Sequence, residues 1–508
     1  MGTLAVIILV LFAAIVVQSA NIQFFRAPAL DASPNNPRNN ASNAKYARGD
    51  IYAANGQVLA VSVKESSSLY PYRRIYPLGS LTSGVVGFSS PFYGEWALEN
   101  EYNSYLEAHT QPPQSFAQLL APTTASDSVT LTLYPQLQRI ARNAMNDPHT
   151  GKPIDAAAVV LNPKTGAVLG MYSNPNYNPL PLTSPTSAVA TAAWKLYLKP
   201  DSNGFEPLGL VATQQTFPPG STFKVITTAA AVVGKPADMT KVFPVGSYTT
   251  LPDSTSKLYN SGGGACGGTV AEMLPPSCDP GFALLGLDLG PQLVYNAATS
   301  FGFDQVPPLD LPTTAGGAVA SYFPPEKSFS NNLAALMISS IGQENVRASA
   351  LQDALVAAAI GNDGVEMTPH LMSYITGPDG KTVLKYKDSI WKTPLSPTQA
   401  AQIVPLMRGV VTDTFGTAYG VQFLPQDEVA AKTGTAQTGN IKKNTDDWLI
   451  AFAPASNPTV AVAVVVPYQP TANFGATVAG PIVKCLIEGA LAIQNGKPPT
   501  GTSTTCAH

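Results

Sequence analysis

Phe217-Pro218-Pro219-Gly220-Ser221-Thr222-Phe223-Lys224, followed by the apolar run Val225 to Val233, is the stretch on which the reading of this chain turns. The Pro-Pro-Gly triplet ends whatever precedes it. Ser221 then stands where a helix is expected to open, a position that serine favours. Lys224 lies three residues on, so one helical turn brings its amine to the face of the Ser221 hydroxyl. A serine hydroxyl is a weak nucleophile at its own pKa and needs a neighbouring base. A lysine is such a base when burial lowers its pKa toward neutrality, and a long apolar helix is a place to bury one. The helix N-terminus adds backbone N–H groups suited to a developing oxyanion.

The Ser-x-x-Lys spacing alone is not specific, and the chain contains it four times: Ser42/Lys45, Ser221/Lys224, Ser254/Lys257 and Ser389/Lys392. The first lies in a polar, Asn-rich segment. The third reads as a surface loop, and the fourth follows a charged, hairpin-like stretch. Only Ser221/Lys224 has both a hard stop before it and an apolar helix after it.

A second chemical element is Ala430-Ala431-Lys432-Thr433-Gly434-Thr435-Ala436, on the first of three expected late strands. Gly434 lets another backbone approach closely. Lys432 with the Thr433 and Thr435 hydroxyls offers a cation and two donors along one edge, a receptor for a carboxylate. A peptide ending in a carboxylate could lie along that edge as an added strand. Lys164-Thr165-Gly166 has the same letters, but it follows Pro163 and is expected to be a turn.

The remaining composition narrows the function. At 508 residues more than one domain is expected. The formal net charge is only -3 and no basic block appears, which argues against nucleic acid. The four histidines are scattered without ligand spacing, which speaks against a metal site and a Ser-His-Asp triad, and no cofactor motif is present. No Gly-x-Ser-x-Gly elbow occurs. Residues Thr3 to Phe25 carry no charge, so residues 1–25 are expected to form a membrane anchor, in preference to a signal peptide cleaved at Ser19-Ala20. No Lys or Arg precedes this span and Arg26 follows it, so a basic leader ahead of the printed start is expected for an exported body. The four cysteines suit an exported chain; bridges Cys266–Cys278 and Cys485–Cys506 are expected, with free buried thiols as the alternative.

In chain order, residues 26–45 read as a Pro/Asn-rich linker. Arg48 to Ala60 reads as a strand, an Asn55-Gly56 turn and a second strand. Glu95 to Leu106 has helical spacing, Val129 to Leu133 is an expected strand, and Pro135 to Met145 an expected helix. Strands are expected at Ala156–Leu161 and Ala167–Tyr172. Ala-rich helices are expected at Leu333–Ser340 and Ala348–Ile360, and another at Ser396–Val411. Strands at Val429–Thr435, Trp448–Ala453 and Thr459–Val466 then precede a covering helix at Gly480–Gln494. The resulting domains are 1–25, 26–150, 151–496 and a disordered tail 497–508.

These motifs together are specific. A Ser-x-x-Lys, a middle Ser-x-Asn and a late Lys-Thr-Gly form the signature of penicillin-binding proteins and serine β-lactamases. The words Pro218-Pro219-Gly220-Ser221-Thr222-Phe223-Lys224, Ser340-Ile341-Gly342-Gln343 and Lys432-Thr433-Gly434-Thr435-Ala436 resemble that family, and Arg48-Gly49-x-Ile51 with Gly56-x-x-Leu59-Ala60 resembles the start of the N-terminal module of its class B members. The chain looks most similar to the actinobacterial PbpA-type branch, to which the placement of Cys266 and Cys278 around the middle motif is also similar.

The resemblance implies an α/β (α+β) transpeptidase fold, an antiparallel sheet covered by helices. A mostly β N-terminal pedestal of the dimerisation type and one transmembrane helix would precede it. It implies a peptidoglycan D,D-transpeptidase that is acylated by β-lactams and acts on stem peptides in elongation or division. The body would lie outside the cell membrane, single-pass, beside a partner glycosyltransferase. Only residues 1–47 precede the class B module, which leaves no room for a fused glycosyltransferase domain. By the family pattern Ser221 is the nucleophile, Lys224 its base and Ser277 the proton relay, linked to Lys224 and Lys432. Lys432, Thr433, Gly434 and Thr435 would hold the carboxylate, and the Ser221 and Thr435 N–H groups the oxyanion. The middle motif departs: its place is Ser277-Cys278-Asp279, Ser-x-Asp rather than Ser-x-Asn. An ionised aspartate cannot donate to a substrate carbonyl, but it holds a protonated lysine more strongly. Ser330-Asn331-Asn332 is the literal alternative. A D,D-carboxypeptidase, a β-lactamase-like hydrolase and a non-catalytic division scaffold are the rival readings.

Overall fold

The computed structural model describes residues 11–15, 18–19, 21, 45–66, 70–110, 124–147, 150–439, 445–470 and 474–497. Of the expected anchor, residues 11–15 are helical and expose Leu11, Phe12 and Ile15; most of the span lies outside the described residues, as do the tail beyond Lys497 and Cys506.

The N-terminal half begins with β1 (Ile51–Tyr52), the Asn55-Gly56 turn and β2 (Val58–Lys64), which pair antiparallel; β3 (Tyr72–Ile75) continues the sheet. β4 (Ser128–Leu131) pairs parallel with β1, and α1 (Pro135–Ala144) follows with proline in its first turn, where no N–H is required. The single helix expected over Glu95–Leu106 is instead a short strand, Gly94–Trp96, and two one-turn helices, Leu98–Glu101 and Asn103–Leu106. Tyr102 leaves helical geometry between them and donates its hydroxyl to Asp310 at 2.7 Å, a tertiary bond that a continuous helix would not make.

The C-terminal half is built on a five-stranded antiparallel sheet. Its strands are β5 (Ala156–Leu161) and β6 (Val168–Asn174), then, late in the chain, β9 (Ala430–Gln437), β10 (Thr445–Ala453) and β11 (Val460–Gln469), in the order β6-β5-β11-β10-β9. Between them come α2 (Lys224–Gly234), α3 (Asp279–Leu289), α4 (Leu333–Ser339), α5 (Ala350–Gly361), β7 (Met372–Thr376), β8 (Thr382–Lys385) and α6 (Pro397–Thr412). The central strands carry long apolar runs, 448–453 in β10 and 460–466 in β11, because both faces are covered; the start of β10, Thr445-Asp446-Asp447, is polar. Trp448, Ile450 and Phe452 share a core with α2 and α5, whereas Leu449 and Ala451 pack with α1 and the last helix, α7 (Gly475–Gln494). The alternation is the period of two that a strand imposes.

α7 begins at Gly475, five residues before the expected start. Gly480 is not a helix opener but a point of close approach: a Cβ there would stand 2.7 Å from a methyl of Val421. By length and composition α7 could cross a bilayer, but it is seated on the sheet with Ile482, Val483, Leu486 and Ile487 buried.

The expected boundary near residue 150 does not divide the sheets. β7 pairs antiparallel with β4, Ile375 opposite Val129, and β8 follows β7, so a hairpin from the C-terminal half completes a six-stranded sheet of order β8-β7-β4-β1-β2-β3. The two halves are therefore joined by a backbone ladder as well as by the chain.

Candidate active site

The nucleophile segment forms a 3-10 turn, Gly220–Phe223, and α2 proper starts at Lys224. The turn is fastened from several sides. Gly220 N–H donates to Gly342 O at 2.9 Å, Thr227 Oγ1 to Ser340 O at 2.6 Å, and Trp448 Nε1 to Pro218 O at 2.9 Å. Thr222 Oγ1 donates to the buried Asp353 carboxylate at 2.8 Å and lies 3.1 Å from Pro219 O. The Ser340-Ile341-Gly342-Gln343 word thus supports the turn rather than touching chemistry. Burial pushes the Asp353 carboxyl up to about 7, against the hydrogen bond from Thr222.

Lys224 is completely buried. Its Nζ donates to Asp279 Oδ1 at 2.6 Å, to Ser277 O at 2.7 Å and to Ser277 Oγ at 3.2 Å. Lys432, equally buried, reaches the same hydroxyl from β9, with Nζ 2.8 Å from Ser277 Oγ and 3.0 Å from Thr433 O. A hydroxyl has two acceptor sites and one proton. Two amines fill the acceptor sites of Ser277, so its own O–H is free to point elsewhere. Ser277 holds φ +60, a left-handed conformation uncommon for serine, at the turn into α3.

The charge balance of this cluster decides its chemistry. Burial lowers the pKa of Lys224, and Asp279 opposes the shift. Burial, then the neighbouring Lys224 charge, hold Lys432 well below the ordinary lysine value. Two amines and one carboxylate in a dry site accommodate one ammonium, which leaves one amine as a free base. Asp279 is itself held on its far side: its Oδ2 accepts from Ser261 N–H at 2.9 Å, and its own N–H donates to Asn260 Oδ1 at 3.0 Å. Cys266 and Cys278 are disulfide-bonded beside it, with Cα atoms 5.6 Å apart.

A cleft of about 640 Å³ opens at this point, lined by Ser221, Ser277, Thr433 and Thr435 among others. Thr433 and Thr435 face the cleft, and Lys432, on the opposite side of the strand, lies behind it; the cation-plus-two-hydroxyls expected along one edge is therefore split, with Lys432 serving Ser277. Gly434 is required by packing, since a Cβ there would be 2.5 Å from Pro219 O. Thr417 Oγ1 lies 2.6 Å from Thr433 Oγ1, and Thr435 Oγ1 accepts from Gly475 N–H at 3.1 Å.

Of the other sequence candidates, Lys45, Ser254, Lys257 and Ser389 are exposed, Lys392 is half-buried, and Ser42 lies outside the described residues. Asn332 caps α4, accepting from Ala335 N–H, so Ser330-Asn331-Asn332 belongs to a helix start. Lys164-Thr165-Gly166 is the expected turn. Asn260, Ser261, Thr417 and Asp353 were not foreseen; each is a lone polar residue in a loop or helix with no spacing that ties it to Ser221.

Comparison with known proteins agrees with the geometry. Residues 156–488 match the model of the penicillin binding protein transpeptidase domain, and residues 48–129 match that of the penicillin binding protein A dimerisation domain. The chain is 36% identical over 506 residues to the peptidoglycan D,D-transpeptidase PbpA of Mycolicibacterium smegmatis, covering 96% of this chain and 98% of the relative. It is 34% identical to PbpA of Mycobacterium tuberculosis, with the same coverage. The ceftriaxone acyl-enzyme complex of penicillin-binding protein A from M. tuberculosis superposes with a TM-score of 0.79 at 33% identity, covering 89% of this chain and 100% of that one. A buried Ser-x-x-Lys turn, a serine shared by two lysines and a Lys-Thr-Gly strand on one cleft, matched along nearly the whole chain, place this protein in the penicillin-binding protein transpeptidase family.

Proposed function

We propose that this chain is a peptidoglycan D,D-transpeptidase working through a Ser221 acyl-enzyme. The observation that carries the reading is Ser277 Oγ, bridged by Lys224 and Lys432 on the cleft that Ser221 lines. At rest Lys224 beside Asp279 is the ammonium and Lys432 the neutral amine; once a proton passes from Lys224 through Ser277 Oγ to Lys432, the freed Lys224 amine takes the Ser221 proton as Oγ adds to the carbonyl between two terminal D-alanines. Backbone N–H groups of Ser221 and Thr435 receive the oxyanion. The free O–H of Ser277 protonates the departing D-alanine nitrogen and is recharged from the lysines. Thr433 and Thr435, with Lys432 behind them, bind the terminal carboxylate. An amine from a second stem peptide then takes the acyl group and closes a cross-link. A β-lactam follows the first half of this course and stops at the ester.

The same reading assigns residues 1–25 to a single membrane anchor, 26–150 to a pedestal of the dimerisation type, 151–496 to catalysis outside the membrane and 497–508 to a tail, with a separate glycosyltransferase as working partner. The names of the relatives and the uncharged N-terminal stretch support it. Labelling with a fluorescent penicillin tests the chemistry. The native chain is expected to label and Ser221→Ala to stay dark; a folded native chain that does not label, or label that persists in the mutant, would refute the assignment.

A further inference from the structure

The cleft continues past the carboxylate-binding threonines. From Thr435, which accepts from Gly475 N–H, it runs along α7, whose Thr477, Pro481 and Lys484 recur at helical spacing on one face. The facing wall is the turn Tyr419–Val421 with Gln422. Lys484 lies nine residues beyond Gly475, about 13 Å along the helix axis. It is half-buried and is the one charged side chain among the described lining residues. Among those residues its amine makes no hydrogen bond or close ion pair; its charge is felt by Asp427, whose carboxyl is pushed up to about 6 by burial and by Glu488, with Lys484 pulling the other way.

A donor peptide does not need this groove. β9 is an edge strand, so the donor can lie along its open edge up to Thr435. The incoming amine must arrive where the departing D-alanine nitrogen left, because addition and expulsion at one carbonyl retrace the same path. The body of the acceptor must then leave the site past the threonines, and the groove along α7 is continuous with that position. We infer that the groove between α7 and the Tyr419–Gln422 turn is the acyl-acceptor site, taking a peptide strand whose own carboxylate pairs with Lys484.

This rests on the transpeptidase reading. In the step itself the acceptor nitrogen adds to the Ser221 ester carbonyl, the C–N bond forms and the C–Oγ bond breaks. The nitrogen proton passes through the neutral amine of the lysine cluster to Ser221 Oγ, and no oxidant or further reactant is needed.

The test uses the full-length chain in detergent, a D-alanyl thioester as acyl donor, and a peptide with a side-chain amine as acceptor, once with a free terminal carboxylate and once as the carboxamide. The ratio of aminolysis to hydrolysis is read for each acceptor, beside the rate of penicillin acylation. The native chain should prefer the free acid about fivefold, as expected of one half-exposed ion pair. Lys484→Glu should erase or invert that preference and leave penicillin acylation unchanged. If Lys484→Glu fails to label with penicillin, Lys484→Met, which keeps bulk and loses charge, decides. An unaltered preference in a variant that still acylates overturns the acceptor site alone. A native chain that never acylates overturns the transpeptidase reading with it.

Discussion

Two buried clusters in this molecule each set two cations near carboxylates, and the kind of cation differs between them. In the pedestal, Glu99 receives Arg48 Nε at 3.1 Å, Arg74 Nε at 2.6 Å and the Tyr76 hydroxyl at 3.0 Å. In the catalytic half, Asp279, Lys224 and Lys432 are tied together through Ser277. Burial alone would raise the Glu99 carboxyl, but the two guanidiniums outweigh it and hold it below its usual value. Arginine does not give up its proton in a protein, so that cluster has one state and acts as a clamp. A buried lysine does release its proton, so the second cluster can change its protonation and pass a proton along. Both arginines touch their carboxylate, whereas Lys432 reaches Asp279 only through Ser277 and Lys224; with that linkage, the choice of cation separates a clamp from a site that can pass a proton.

Lys224→Arg breaks this comparison most severely. It keeps the charge and removes the proposed base, so the second-order rate of penicillin acylation should fall at least about 10³-fold. A variant that acylates within tenfold of the native rate would show that Lys224 is not the base. Glu99→Gln attacks the clamp: Arg74 loses its buried carboxylate and Arg48 keeps only Glu95, so unfolding should become easier by about 3–5 kcal/mol, read by denaturant melts. Acylation per folded molecule should stay as it was. Unchanged stability would mean that the pedestal cluster is not the clamp described.

Asp279→Asn sharpens the contrast with a smaller effect. The carboxylate raises the Lys224 pKa against burial, so its removal lets that pKa fall further. The base is then free at lower pH, and the acid limb of the acylation–pH profile should move to lower pH. Movement toward higher pH would reverse the assigned role of Asp279.

The local features of this site were legible in the residues. Pro218-Pro219-Gly220 before Ser221 and the apolar run after Lys224 pointed to a stop and a buried helix; the helix formed, but it opens at Lys224, with Ser221 on a 3-10 turn before it. The central strands were legible because their apolar runs are long and bounded by turns. What escaped reading depends on partners far away in the chain. Asn260 and Ser261 act only because Asp279 comes to lie beside them, and Thr417 only because α6 delivers its loop to Thr433. The side of β9 that Lys432 occupies follows from strand alternation once the register is known, and the letters Lys-Thr-Gly do not give it. Residues 164–166 show as much: the same three letters form a turn there, with Lys164 exposed and Gly166 buried.

The β7–β8 hairpin has a practical consequence for dissecting the molecule. Cutting the chain near residue 150 would strip β7 of its neighbour β4 and leave a row of open backbone N–H and C=O groups along Met372–Thr376. Such a bare margin recruits any strand that meets it, so an excised C-terminal fragment is expected to self-associate and precipitate. A soluble form that begins before Arg48 keeps the margin covered, and is the piece to purify.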